Sequence, residues 1–495
     1  MIYQSSRNDD LTATSAKSIL EGIAPDGGLY SVKDLDGVGF DWKAVLKMDA
    51  RSMAVKILSA LLPSFSEEEI RSIVEAGYHE KFDTEELTPT VSVGEDTILE
   101  LFRGPTSAFK DVALSLLPRL MVASGHKCGS TDEILILTAT SGDTGKAAME
   151  GFRDVPGTRI IVFYPYGSVS QVQELQMTTQ EGKNVLACAV KGNFDDAQRG
   201  VKNIFGNALI AEELKKNAIR LSSANSINIG RLAPQVVYYF KAYADLIQKG
   251  KILFGEKVDF CVPTGNFGDI LAGYFAKELG LPVGKLICAS NANNVLTDFL
   301  STGRFDSRRE FFRTESPSMD ILVPSNLERM LFMLCKDAAQ VSGMMASLKS
   351  DGVYEVPEQI FNRLTDIFWP GCCEDEGTEQ SIGEVWKQFG YLMDTHTAVA
   401  WNVAQQYKKA NPDHAPVVIL STASPYKFPE AVLRAIGESK GKDPFDDMEK
   451  LKEVTGTAVP KNLSGLRERP VRHHDVIECK DMADYVVKMA LKKAW

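Results

Sequence analysis

The eight cysteines of this 495-residue chain include no C-x-x-C pair and follow no regular spacing. Several, such as Cys188, Cys261 and Cys288, lie inside apolar runs, as buried free thiols do. A reducing compartment without a disulfide framework is expected. No stretch approaches the ~20 apolar residues that span a bilayer. The amino end, MIYQSSRNDD, lacks the charged-then-apolar profile of a secretory signal. Both absences point to a cytoplasmic protein with no membrane partner. Positive charge is in deficit: 55 Lys and Arg face 66 Asp and Glu, a net charge of -11. That argues against nucleic acid as a partner, although a local cluster of donors can still take an anionic small substrate. Internal repeats and low-complexity tracts are also missing. The remaining composition is that of a globular enzyme, and the length predicts two or three domains.

Residues 1–95 read as a small helical cap domain. DARSMAVKILSALL and SEEEIRSIVEAGYHEKF have amphipathic spacing, and Ser66 and Glu69 form a capping box at the start of the second. Between 96 and 290 the pattern alternates. EILILT (133–138), RIIVFYP (159–165), NVLACAV (184–190), KVDFCVP (257–263) and KLICAS (285–290) read as buried strands. Helical segments, including a single long one over DDAQRGVKNIFGNALIAEEL, separate most of them. This predicts an α/β core with a largely parallel sheet. Residues 291–385 read as a mostly helical insertion with no visible chemistry, its Met330, Met333, Met344 and Met345 serving as packing. Residues 386–495 return to the core and close with helices.

In such a fold, ligands gather in the turns beyond the carboxyl ends of strands. TATSGDTGKAA follows the strand at 133–138. It is not a nucleotide P-loop, because Thr140 stands where the first glycine belongs and Ala147 follows Lys146. Its small residues and hydroxyls at a helix start suit a carboxylate. PTGNFGDILAG follows the strand at 257–263, where Gly265 and Gly268 let the backbone approach a ligand and the helix amides suit a phosphate. SSANSINIGRLAPQ offers Asn225, Ser226, Asn228 and Arg231, either as anion donors or as a capped helix with a surface arginine. His396, after Asp394, suits a structural role better than a catalytic one. Ser421 and Thr422 emerge at a strand end, where a hydroxyl meets a bound ring. LFRGPTSAFKD (101–111) holds a lone lysine, Lys110, which is either a surface residue or an amine whose neutral form closes a Schiff base. A lone lysine, two anion turns and a strand-end hydroxyl together match the separate needs of pyridoxal 5'-phosphate.

In this order, the blocks APDGGLY, LFRGPTSAFKD, TSGDTG, NSINIGR, GNFGDILAG, DTHTAVA and STASPYKF resemble those of the threonine synthases, over nearly the whole chain. The resemblance implies a fold-type II pyridoxal phosphate enzyme with α/β/α lobes. It implies conversion of O-phospho-L-homoserine and water to L-threonine and phosphate, with no metal. Lys110 inherits the Schiff-base role, and Gly265, Asn266, Phe267, Gly268 and Asp269 the cofactor-phosphate loop. Thr422 is implied to face the pyridine nitrogen. Ser141, Gly142, Asp143 and Thr144 would hold the substrate carboxylate, and Asn225, Ser226, Asn228 and Arg231 its phosphate. Arg103 and Ser424 depart from the family pattern, which has His at both positions in many members. Two alternatives stay open: β-elimination of phosphorylated hydroxyamino acids, or a non-catalytic ligand-binding relative. Either a monomer or a homodimer is compatible with the sequence.

Overall fold

The structure, a computed structural model, describes residues 1–35, 37–140, 142–492 and 495. The long apolar runs fold as strands covered on both faces, as parallel sheets require. All eight residues of Thr158–Pro165 are buried. Among the described residues, two larger sheets carry the architecture. In the five-stranded sheet the order is Val476–Glu478, Val185–Lys191, Thr158–Pro165, Glu133–Ala139, Ile219–Ser222, and every pairing is parallel. In the six-stranded sheet it is Phe368–Cys372, Val283–Ser290, Val258–Pro263, Val417–Ser421, Asp96–Glu100, Thr90–Val93. Only the last pair is antiparallel. The expected α/β class with parallel sheets is what the chain adopts.

Local chemistry sets several helix boundaries. The box at Glu67–Tyr78 forms as expected, with Ser66 Oγ accepting from Glu69 N and the Glu69 carboxylate accepting from Ser66 N. The long segment over 195–214 is instead two helices, Phe194–Phe205 and Ala208–Lys216. Asn207 accepts from the amides of Leu209 and Ile210, so its side chain starts a new helix where one continuous helix was expected. The first 95 residues hold, beside their helices, an antiparallel sheet of Tyr3–Ser5, Asn8–Ala13 and Tyr30–Ser31. The segment 291–385 supplies the edge strand Phe368–Cys372 and a hairpin of Arg304–Asp306 with Val353–Glu355. Met330, Met333 and Met344 are buried in its packing. Among the described residues no helix is long and apolar enough to cross a membrane.

Candidate active site

The turns after five strands meet at one place. Lys110 opens the short helix Lys110–Leu114, after a turn reached from Asp96–Glu100. That turn is laced to the end of the neighbouring strand. Phe109 N donates to Thr422 O (2.9 Å), Ser424 N donates to Ser107 O (3.1 Å), and Leu101 N donates to Ser421 O (2.9 Å). Inside the turn, the Asp111 carboxylate accepts from Thr106 N (2.8 Å) and Thr106 Oγ1 (2.6 Å). Burial pushes its carboxyl up to about 6. Lys110 Nζ lies 5.1 Å from the Phe109 ring centroid and has no hydrogen-bond or ion-pair partner among the described residues. Burial pushes its amine down to about 8, with Lys427 and Arg231 adding to the fall while Asp143 and Asp269 oppose it. A lysine in this state is a nucleophile and a base rather than a surface charge.

The turn after Val258–Pro263 is built for close approach. A Cβ on Gly265 would lie 2.5 Å from Ser318 O, so only glycine fits. Phe267 holds a left-handed backbone (φ 65°), strained for a non-glycine residue, at the cap of the helix Gly268–Glu278. Asp269 lies in the first turn of that helix, where burial raises its carboxyl to about 7. Asn266 O accepts from Asn326 N (3.0 Å) and Nδ2 (3.2 Å). Asn326 Oδ1 accepts from Arg329 Nη1 (2.5 Å). Arg329 is fully buried, and its other bonds run to Tyr30 O (2.9 Å) and Ile227 O (2.7 Å). The amino-terminal sheet therefore braces two site turns through one guanidinium. Neither Asn326 nor Arg329 carries a sequence signal, since both lie in the segment read as helical packing.

At the start of the helix Asp143–Phe152, Thr140 Oγ1 accepts from the amides of Gly142 (2.9 Å) and Gly145 (3.0 Å) and so shapes the turn. Ser141 lies outside the described residues. Thr144 is half-buried in the first turn of that helix. Asp143 Oδ1 pairs with the buried Lys427 and accepts from Gln173 Nε2 (3.0 Å). Burial alone would push the Asp143 carboxyl up, but the ammonium groups of Lys427 and Lys110 hold it well below the usual carboxylate range. Lys146 turns away to Gln180 and Glu150.

Arg231 is 3% exposed, which removes the surface-arginine alternative. Its Nη1 donates to Ala224 O (2.7 Å), whereas its Nε is buried without a partner among the described residues. Burial lowers its pKa to about 10, and it has no ion pair with a described carboxylate. An unpaired buried cation is costly unless an anion completes it. Asn228 is placed differently from a ligand: its Oδ1 caps Gly230 N (2.8 Å) and its Nδ2 donates to Ile19 O (2.9 Å). Asn225 is exposed, Ser226 half-buried.

Thr422 is buried, and its hydroxyl has no partner among the described residues. Ser421 Oγ is taken by Thr397 Oγ1 (2.9 Å). His396 Nδ1 contacts Asp394 Oδ2 (2.7 Å), while its Nε2 accepts from Ser318 N (3.1 Å), a tautomer that fixes the wall behind Gly265. Arg103 binds Glu100 (Nε to Oε2, 2.8 Å) and Asp83 (Nη1 to Oδ2, 3.4 Å), and Ser424 Oγ accepts from Tyr426 N (3.4 Å). Neither departure from the family pattern touches Lys110.

Profiles of known families match both ends of the chain: "Threonine synthase N terminus" over residues 2–78 and "Threonine synthase, C-terminal" over residues 397–486. The threonine synthase of Pseudomonas aeruginosa is 38% identical over 477 residues, covering 95% of each chain. The chain belongs to the threonine synthase family. Its fold is that of the pyridoxal-phosphate-bound threonine synthase of Brucella melitensis, with a TM-score of 0.88, 35% identity, and coverage of 99% of this chain and 100% of that one. Human threonine synthase-like 1 is 37% identical over 434 residues, 85% of this chain; the match spans 58% of that longer protein. Lys427, like Arg329, is a buried charged group that its local sequence barely announces. Its only signal is its place in STASPYKF, two residues beyond a proline and next to Phe428.

Proposed function

We propose that the chain is a pyridoxal-phosphate-dependent threonine synthase, converting O-phospho-L-homoserine and water to L-threonine and phosphate. The observation that carries this is Lys110, an unpartnered amine lowered to about 8 at the meeting point of two anion-suited turns. The residues present suit the cofactor. The Gly265 cradle has no room for a side chain, the amides of Asn266 to Asp269 open a helix start, and Thr422 has a free hydroxyl for a ring nitrogen. When bound, pyridoxal phosphate supplies the electron sink for negative charge built up on the substrate carbons. A neutral threonine hydroxyl does not hold a ring nitrogen protonated as a carboxylate would, which suits elimination and replacement chemistry.

Lys110 Nζ is the covalent anchor and, once freed, the base for the Cα proton of the substrate. With its pKa about 8, roughly a tenth of the amine is neutral at pH 7. The same Nζ moves the Cβ proton and returns a proton to Cα after water has added at Cβ. Arg231, whose Nε lacks a partner, receives the substrate phosphate. A substrate without that phosphate leaves the guanidinium unpaired, and such sites discriminate by several kcal/mol. The amides of the 142–144 turn receive the carboxylate. Asn228, engaged at both ends of its amide, shapes the phosphate turn and serves as support. The same reading puts the protein in the cytoplasm, working as a monomer or homodimer on a small-molecule substrate.

Borohydride reduction of the cofactor-loaded protein followed by peptide mass spectrometry is expected to place the pyridoxyl group on Lys110, and assays to show one threonine per phosphate released. Phosphate accompanied by a keto acid and ammonia, without threonine, from a substrate phosphorylated at its β-hydroxyl would establish the β-elimination instead. A protein that never takes up the cofactor would be the non-catalytic relative.

A further inference from the structure

A turn that receives a carboxylate holds a carboxylate of its own, Asp143, beside the reacting lysine. Left alone, Asp143 would repel the substrate and draw a proton onto Lys110. The structure places a counter-charge there. Lys427 follows the strand Val417–Ser421 in a short 3-10 turn, Pro425–Lys427, whose start is capped by Ser424. Its ammonium is buried, pairs with Asp143 Oδ1, and reaches Thr106 O in the Lys110 turn at 3.4 Å. Gln173 Nε2 holds the same Asp143 oxygen, and the Gln173 amide fills the space a side chain at Gly142 would need. Asp143 makes no ion pair with Lys110 among the described residues. We propose that Lys427 is a positioning residue that holds Asp143 neutralised and bonded away from Lys110, leaving the Lys110 amine without an ion-pair partner and the Gly142–Thr144 turn open to a substrate carboxylate.

The charged groups around Lys110 come from four elements: Asp143 on its helix, Lys427 after the strand end, Arg231 on Ile229–Leu232, and Asp269 on Gly268–Glu278. Lys427 acts on this set twice. It is a cation opposing protonation of Lys110, and it occupies the anion that favours protonation. Losing it removes a like charge and releases an opposite one, so both effects raise the Lys110 pKa. The inference rests on Lys110 being the reacting amine.

Competitive labelling tests it on the full chain freed of cofactor, with trace acetic anhydride at pH 6–11 and mass spectrometry of the Lys110 peptide. The wild-type midpoint is expected at about 8. Lys427→Met moves it up by about one pH unit, the lower end for a charge contact, and slows cofactor capture at pH 7 about tenfold. Lys427→Arg restores the midpoint, and Asp143→Asn moves it down. A midpoint unmoved in Lys427→Met, even with a lowered melting temperature, makes Lys427 merely structural and overturns the proposal. Should Lys427→Met fail to fold, Asp143→Asn decides alone: a midpoint that stays or rises overturns it. Because labelling needs neither cofactor nor substrate, protein that titrates as expected yet makes no threonine refutes the functional reading and leaves this one standing.

Discussion

An alanine at position 265 would put its Cβ 2.5 Å from the carbonyl oxygen of Ser318. That oxygen cannot easily retreat. Ser318 N is bonded to His396 Nε2 (3.1 Å), His396 is held by Asp394 (2.7 Å), and Met319 N is bonded to Ser316 O (2.9 Å). Ordinary contact begins near 3.4 Å, so the glycine turn itself must move by most of an ångström. It is anchored at both sides, through Thr264 N to Ala289 O (2.8 Å) and Asn266 O to Asn326 N (3.0 Å). The displacement therefore falls on the amides of Gly265 and Asn266, where the turn proposed to hold the cofactor phosphate begins. A hydrogen bond to a charged group contributes about 1.5–3 kcal/mol. Weakening one or two such bonds by half costs about 2 kcal/mol, or roughly 30-fold in affinity. Overpacking of this kind also lowers stability by about 1–3 kcal/mol. Titration of pyridoxal phosphate into cofactor-free Gly265→Ala, followed by the imine absorbance, measures the first effect, and thermal unfolding the second. Gly343→Ala, on the helix Ala338–Asp351 where a Cβ meets nothing within 4 Å, is the control and keeps wild-type affinity. A dissociation constant for Gly265→Ala within twofold of wild type refutes the assignment of this turn.

Two other perturbations are sharp. Arg231→Met is expected to lower kcat/KM for O-phospho-L-homoserine by about 100-fold, the loss of a buried charged partner, with cofactor affinity unchanged; loss of cofactor instead would mean the two anion sites are exchanged. For Lys110→Met the expected stability change is a gain. The folded-state amine is depressed from 10.5 to about 8, so below pH 8 the folded protein carries the whole cost of its buried charge. Between pH 8 and 10.5 the unfolded chain binds more protons, and wild-type stability climbs with pH. Cofactor-free Lys110→Met should therefore exceed wild type by about 1–3 kcal/mol at pH 7, with the gap closing toward pH 10.5. A variant that melts below wild type at pH 7 contradicts this.

How much of the molecule was legible in the sequence follows from which interactions are local. Strand runs such as RIIVFYP and the Ser66–Glu69 capping box depend on near neighbours, and they fold where the pattern puts them. The break at Asn207 was equally local, but an apolar spacing that continues across it masked the cap. Short edge strands such as Phe368–Cys372 and Val476–Glu478 gain their form from a sheet partner distant in the chain, so nothing in their own residues announces them. At the site, Asn225, Asn228 and Arg231 look alike as donors in sequence. Asn228 spends its amide on Ile19 and Gly230, whereas Arg231 keeps a nitrogen unpaired, and only the packing around each distinguishes them.

By itself the sequence determined the α/β alternation, the glycine turns and the order of the motifs that mark a threonine synthase, because backbone pattern and turn chemistry are written within a few residues. Tertiary structure decided the charges. How readily Lys110 gives up its proton depends on desolvation and on Asp143, Lys427, Arg231 and Asp269, which lie up to hundreds of residues away in the chain. It also decided the bracing. Arg329 ties Tyr30, Ile227 and its own helix cap, Asn326, together only because two distant segments bring their carbonyl oxygens within reach of one buried guanidinium.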